Sequence, residues 1–182
     1  MRVTDNQVTP ELQTVHVRRM PIAVSARSSQ HFEELMREFA LITMDTDRDR
    51  ETTDSKRPVP ERLLTLVAEL TSEFAAFTTA VQAQREEAAA RGDSEINLTY
   101  HLPPSTTDAV RQLETLLEEV DEFCQSGQHL ITLATPPESL AFRQWYFQEF
   151  IEQIELGHPP VPWPDYVAEH HKDADWAQGS SS

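Results

Sequence analysis

Glu155 and His158 stand three residues apart, the Glu-x-x-His spacing with which a helical bundle presents two metal ligands on one helix face. A dinuclear centre of that kind needs the motif twice, and it occurs once. His158 also follows Gly157, where a helix is expected to stop, so the spacing reads as a solvated helix end. The pair His170–His171 lies in the polar run AEHHKD and reads as exposed tail. Cys124, the single cysteine, falls on an apolar stripe, where a thiol behaves as a small hydrophobe rather than a nucleophile. Glu114, Glu118, Glu119, Asp121 and Glu122 share a short stretch of chain that invites comparison with paired catalytic carboxylates or a cation site. Solvation of a helix exterior is the reading favoured for them, with a face for a basic partner as the main alternative. Loops that cradle phosphates need clustered glycines to bring backbone amides to the ligand; of the four glycines here, three close predicted helices and Gly179 lies near the end. Nucleophile elbows and paired cysteines are missing as well. The sequence therefore predicts no catalytic residue, no metal site and no cofactor.

Recognition is the chemistry left. Trp145 and Tyr146 belong to a segment with more aromatic surface than one helical stripe requires, so they either pack in the core or face a partner. Trp163, in PPVPWP, sits on a preformed extended scaffold that either folds back on the body or is offered to another protein. Arg18, Arg19 and Arg27 cluster in an acidic chain, as ion-pair partners of the acidic helix or as an anion site. Trp145, Tyr146, Trp163, Arg18 and Arg19 are the candidate partner-binding residues.

The elements that must position these residues are mostly helical. Residues 13–24 alternate, with Val15 and Val17 on one side and His16 and Arg18 on the other, which predicts extended structure. Ser28 or Ser29 can cap a first helix carrying Phe32, Leu35, Met36, Phe39 and Ile42. Residues 45–58 are charged and aperiodic and predict a mobile loop. A second helix over about 60–91 repeats Leu63, Val67, Leu70, Phe74, Phe77 and Val81 and stops at Gly92. Ile96, Leu98, Tyr100 and Leu102 alternate with polar residues, so a small sheet with the first run is possible. Two more helices follow, one from Ser105 or Thr106 with Val110, Leu113, Leu117, Val120 and Cys124, the other from ATPPES to Gly157. The fold class expected is all-α in the main: an antiparallel bundle of about four helices with a two-stranded accessory over 13–156, a flexible stretch 1–12, and a Pro-rich extended segment with disordered tail over 157–182.

The chain has 182 residues, room for one domain and a tail. Its 31 acidic against 15 basic residues give a formal charge of -16, which opposes nucleic acid and anionic membrane surfaces. No apolar run approaches the ~20 residues of a spanning helix, the start lacks a secretory core, and one cysteine precludes an internal disulfide. A cytoplasmic location, with neither nucleic acid nor membrane as partner, is the expectation.

VRRMPIAVSARSSQHFEELMREFALI, with LTYHLPPS and LATPPESLAFRQWYFQEFIEQI, resembles small helical proteins of high-GC actinobacteria, and thirteen arginines against two lysines agree with such a genome. The resemblance implies company with partner-switching components of the anti-sigma type. The opening also looks like the start of an anti-sigma kinase domain, but the asparagine-bearing helix and glycine-rich lid of those kinases have no counterpart. The function expected is a non-catalytic protein-interaction module, in stress or sigma-factor signalling. The alternative is a helical small-molecule sensor or enzyme whose pocket lies between the second, third and fourth helices and is lined by Phe74, Phe77, Trp145 and Phe150. A homodimer is a further possibility.

Overall fold

The structure, a computed structural model, describes residues 11–49, 58–126 and 134–178, with the side chains of 45–49 outside that description. Strand β1 (Gln13–Pro21) leads into helix α1 (Ile22–Asp49); α2 (Val59–Arg91), β2 (Glu95–Leu102), α3 (Thr106–Ser126) and α4 (Pro137–Ile151) follow. A π-helical turn (Glu152–Leu156) extends α4, and α5 (Trp163–His170) and α6 (Asp175–Gln178) complete the described chain. The protein is mostly helical, with a small two-stranded antiparallel sheet.

The two alternating runs pair, from Gln13 opposite Leu102 to Pro21 opposite Glu95. Between Val17 and Met20 the register slips through a bulge, and Arg19 adopts φ +49°, a left-handed conformation uncommon outside glycine. The Asn97 amide oxygen accepts the Arg19 backbone N–H at 2.8 Å, satisfying the donor that the bulge releases. Val15, Val17, Met20, Leu98, Tyr100 and Leu102 bury one face. His16 turns its backbone toward the unpaired edge of β1, where Gln153 in the π turn both donates to its carbonyl and accepts from its N–H at 2.8 Å, closing the edge as a further strand would.

Helix α1 begins at Ile22, earlier than the serine caps at 28 and 29 suggest. The Ile22 N–H still belongs to the sheet, donating to Ser94 O at 3.1 Å, so the chain passes from ladder to helix without a spacer. β-branched Ile22 and Val24, which continue the alternation on paper, lie in the first helical turn. At its other end α1 runs to Asp49, five residues into the expected loop, since nothing from 45 to 49 breaks a helix; residues 50–57 lie outside the described residues. Gly92 closes α2 with φ +76° and Gly157 closes the π turn with φ +64°, both left-handed caps that favour glycine.

Two apolar cores result. One joins the sheet to α4 and α5 through Val15, Val17, Leu98, Phe142, Trp145 and Trp163, and the other joins α1, α2 and α3 through Leu35, Phe39, Leu63, Leu66, Leu117 and Val120. Between 157 and 178 the chain is partly helical where an extended segment and tail are expected; 179–182 lie outside the described residues. Among the described residues of this segment 157–162 and 171–174 lack helix, and α5 forms between them with Pro164 in its first turn, where a missing N–H costs nothing. Helix α2 is buried at both ends, at Leu63 and Leu66 and at Val81 and Ala88, but not between. Contrary to the expectation that no run is long enough, Val59–Arg91 meets the length and composition of a membrane span, with 17% of its most apolar window buried. It packs on α1, α3 and β2.

Candidate functional site

Packing claims most of the residues that the sequence nominates. Trp145 is 1% exposed and donates its indole N–H to Val161 O at 2.8 Å; Trp163 is 8% exposed, with its ring centroid 5.3 Å from that of Trp145. Both are core residues rather than a surface for a partner. Arg19 binds Glu95 at 2.9 and 3.1 Å on the neighbouring strand, and Arg27 binds Glu138 of α4 at 2.6 Å, so neither reaches the acidic face of α3. Arg18 is half-buried on β1. On α3, Glu119 takes a two-pronged bond from Arg62 of α2, at 2.5 and 3.1 Å. Asp121 accepts from Arg143 of α4 and, at 2.6 Å, from Thr135. Glu118 and Glu122 remain exposed.

Among the described residues the histidines meet carboxylates at most one at a time. Glu155 pairs with Arg111 at 2.6 Å, which lowers its pKa, while His158 faces Glu152 at 3.3 Å. His170 bonds Tyr166 O, and the centroids of the His170 and His171 rings are 6.5 Å apart. Among the described residues no three His, Cys, Asp or Glu side chains are grouped to hold a metal. Cys124 is fully buried, and burial, helped by the charge of Asp121, pushes its thiol up to about 11, so the thiolate is scarce at neutral pH.

Among the described residues one carboxylate is buried, that of Glu149. Glu149, 4% exposed, accepts the Val161 N–H at 3.0 and 3.2 Å and the Gln153 amide at 2.7 Å. Burial pushes its pKa up to about 7 against the pull of those donors, and neighbouring Glu152 adds to the rise. With Trp145 on Val161 O, it fastens the Pro-rich segment to α4 by both backbone groups of one residue.

Open space lies along the seam where the two cores meet. A cavity of about 220 Å³, open to solvent on one side, is lined by α2 (Leu70, Phe74, Arg85), β2 (Tyr100, Leu102), the first turns of α3 (Thr106, Val110, Leu113) and α4 (Tyr146, Phe147, Phe150). Exposed Thr78 and Gln82 mark where it meets solvent. A second cavity of about 300 Å³ lies against α1 at Ser28, His31 and Phe32, and shares Arg85, Leu113, Tyr146 and Phe147 with the first as a common wall. Of the residues expected to line a pocket between the second, third and fourth helices, Phe74 and Phe150 do so; Trp145 and Phe77 pack elsewhere in the sheet-side core.

Polar groups in these walls are left over. Ser28 Oγ, His31 Nε2 and Thr106 Oγ1 are buried without a hydrogen-bond partner, and all three belong to residues lining one cavity or the other. Among the described residues Arg85 donates to Ser25 Oγ and to no carboxylate. Tyr100 and Tyr146 bond through their hydroxyls at 2.5 Å, and burial raises both phenols, which stay neutral. Buried polar atoms in folded proteins nearly always have a partner, so such a set around a void marks a place where something else supplies one. Sequence reading missed Arg85, Thr106, Tyr100 and His31. A trace existed: 70, 74, 78, 82 and 85 share one face of α2 and turn from apolar to polar along it, whereas the stripe drawn through Phe77 and Val81 runs onto the sheet. No protein-family model, curated protein or solved structure matches the chain.

Proposed function

We propose that this protein is a non-catalytic regulatory module whose input is a small, largely apolar molecule held in the seam between α2, α3 and α4. The observation that carries this reading is the coincidence of two adjoining, largely apolar cavities with every unpartnered buried side-chain polar atom among the described residues. Helices α1 to α4 form a ring of contacts, α1 with α2, α2 with α3, α3 with α4 and α4 with α1, which we read as the antiparallel bundle that the sequence predicts. A ligand in the seam touches α2, α3, α4 and β2 together, so occupancy changes how the two cores bear on each other. A cytoplasmic setting in stress or sigma-factor signalling, which the sequence resemblance implies, suits such a device.

The test uses the neutral fluorophore N-phenylnaphthylamine. Wild-type protein binds it saturably and gains thermal stability with its concentration, as mass action requires. Ala109→Phe, which fills the cavity from α3, folds and loses the binding. No saturable binding to the wild type, or equal binding to the filled variant, refutes the reading. A second reading, a protein partner docked on α1, draws on Leu41 and Met44, which are 55% and 67% exposed one turn apart. Under it, Leu41→Ser with Met44→Ser abolishes partner capture and leaves fluorophore binding intact.

A further inference from the structure

Resting on the ligand-binding reading above, the walls of the seam go further and specify the head group of the molecule. The chain carries 31 acidic residues, yet among the described residues no Asp or Glu lines either cavity. The charged side chain in the shared wall is Arg85, half-buried, whose guanidinium uses one N–H on Ser25 Oγ and leaves the rest of its fork of donors without a carboxylate among the described residues. Beside it, the hydroxyls of Tyr100 and Tyr146 have two hydrogens between them and spend one on their mutual bond, so the other has no protein acceptor. Both phenols feel the positive charge of Arg85, which places the three groups together. Thr106, 5% exposed, brings an unpartnered hydroxyl into the same cavity at the positive end of α3. The surplus is of donors, and the charge is positive.

We propose that the seam binds an apolar monocarboxylate, with its carboxylate on the guanidinium of Arg85 and its hydrocarbon tail against Leu70, Phe74, Leu113 and Phe150. A planar guanidinium fork matches a carboxylate in geometry and holds it more strongly than a neutral group. One cation without an acidic partner balances one negative charge, and a formal charge of -16 on the chain disfavours a phosphate dianion. The apolar remainder of the wall takes a tail without further polar substituents.

Octanoate and octanol, which share a chain and differ in the head group, are titrated into the full chain by calorimetry. The wild type binds octanoate at least tenfold more tightly than octanol. Arg85→Gln brings the two within about threefold by weakening octanoate, and Arg85→Lys restores part of the preference. Should the glutamine variant fail to fold, the wild-type Arg85 Nε–H resonance gives the same information: octanoate shifts it and octanol does not. Equal affinity for the two, a preference that survives Arg85→Gln, or an unmoved Arg85 resonance overturns the head-group assignment while leaving a neutral-ligand cavity in place. Failure of octanoate, octanol and the neutral fluorophore alike removes the cavity reading itself.

Discussion

Glu149 is the side chain whose state most directly changes the fold's cohesion. Its carboxyl ordinarily titrates near 4.5 and is pushed up to about 7 in the folded protein, chiefly by burial. Between those values the unfolded chain has released a proton that the native state retains. The stabilising contribution is therefore complete below about pH 4.5 and is lost as pH rises through about 7. The urea midpoint of the wild type should fall over that window more steeply than that of Glu149→Gln, which is neutral throughout. Identical pH slopes for the two proteins would show that the Val161 clamp does not depend on this titration. Nothing in the sequence marks this glutamate: it stands among Gln148, Phe150 and Glu152, and becomes special only because Val161 and Gln153 close over it. The same holds for Arg85, one of thirteen arginines, which is set apart only by its place in the wall shared by the two cavities, bonded to Ser25 Oγ.

Period and punctuation in the sequence find α1 to α4 and both strands, since apolar faces and Gly92 and Gly157 leave direct traces, but not α5 and α6. Boundaries depend on tertiary partners and are read less well. Ile22 is helical because Ser94 takes its N–H, and Trp163 opens a packed helix because Trp145, Phe142 and Tyr166 surround it. The four-three stripe of α2 puts Leu63 and Phe74 in one class, and the structure separates them: Leu63 is fully buried, while Phe74 is half-buried at the cavity wall. Leu63→Ala should cost ~2–5 kcal/mol, and Phe74→Ala less, ~1–2 kcal/mol, because part of its surroundings is already empty. Trp163→Ala should cost ~3–5 kcal/mol, as for a large ring removed from a core. Chemical denaturation of the three variants measures this. A Phe74→Ala protein that loses more than the Leu63→Ala protein would mean that the middle of α2 is packed solid and the seam closed.

The molecule as a whole is two cores held side by side, one built on the sheet and one on α1 to α3, with α4 serving both through Phe142 and Phe147. Where their surfaces fail to interlock, a cavity remains, assembled from residues that lie between 28 and 150 and share no short motif. That is why no spacing along the chain announces it. Such a void costs the free protein stability, and a molecule that fills it recovers some. The most direct measurement is therefore one that locates a bound ligand: intermolecular nuclear Overhauser contacts from the neutral fluorophore to protein labelled at its Leu, Val and Met methyl groups. The expected contacts are to Leu70, Val110 and Leu113, with Leu12, Leu41 and Met44 silent. Contacts confined to Leu12, Leu41 or Met44 would place the ligand on the outer surface and contradict a site in the seam.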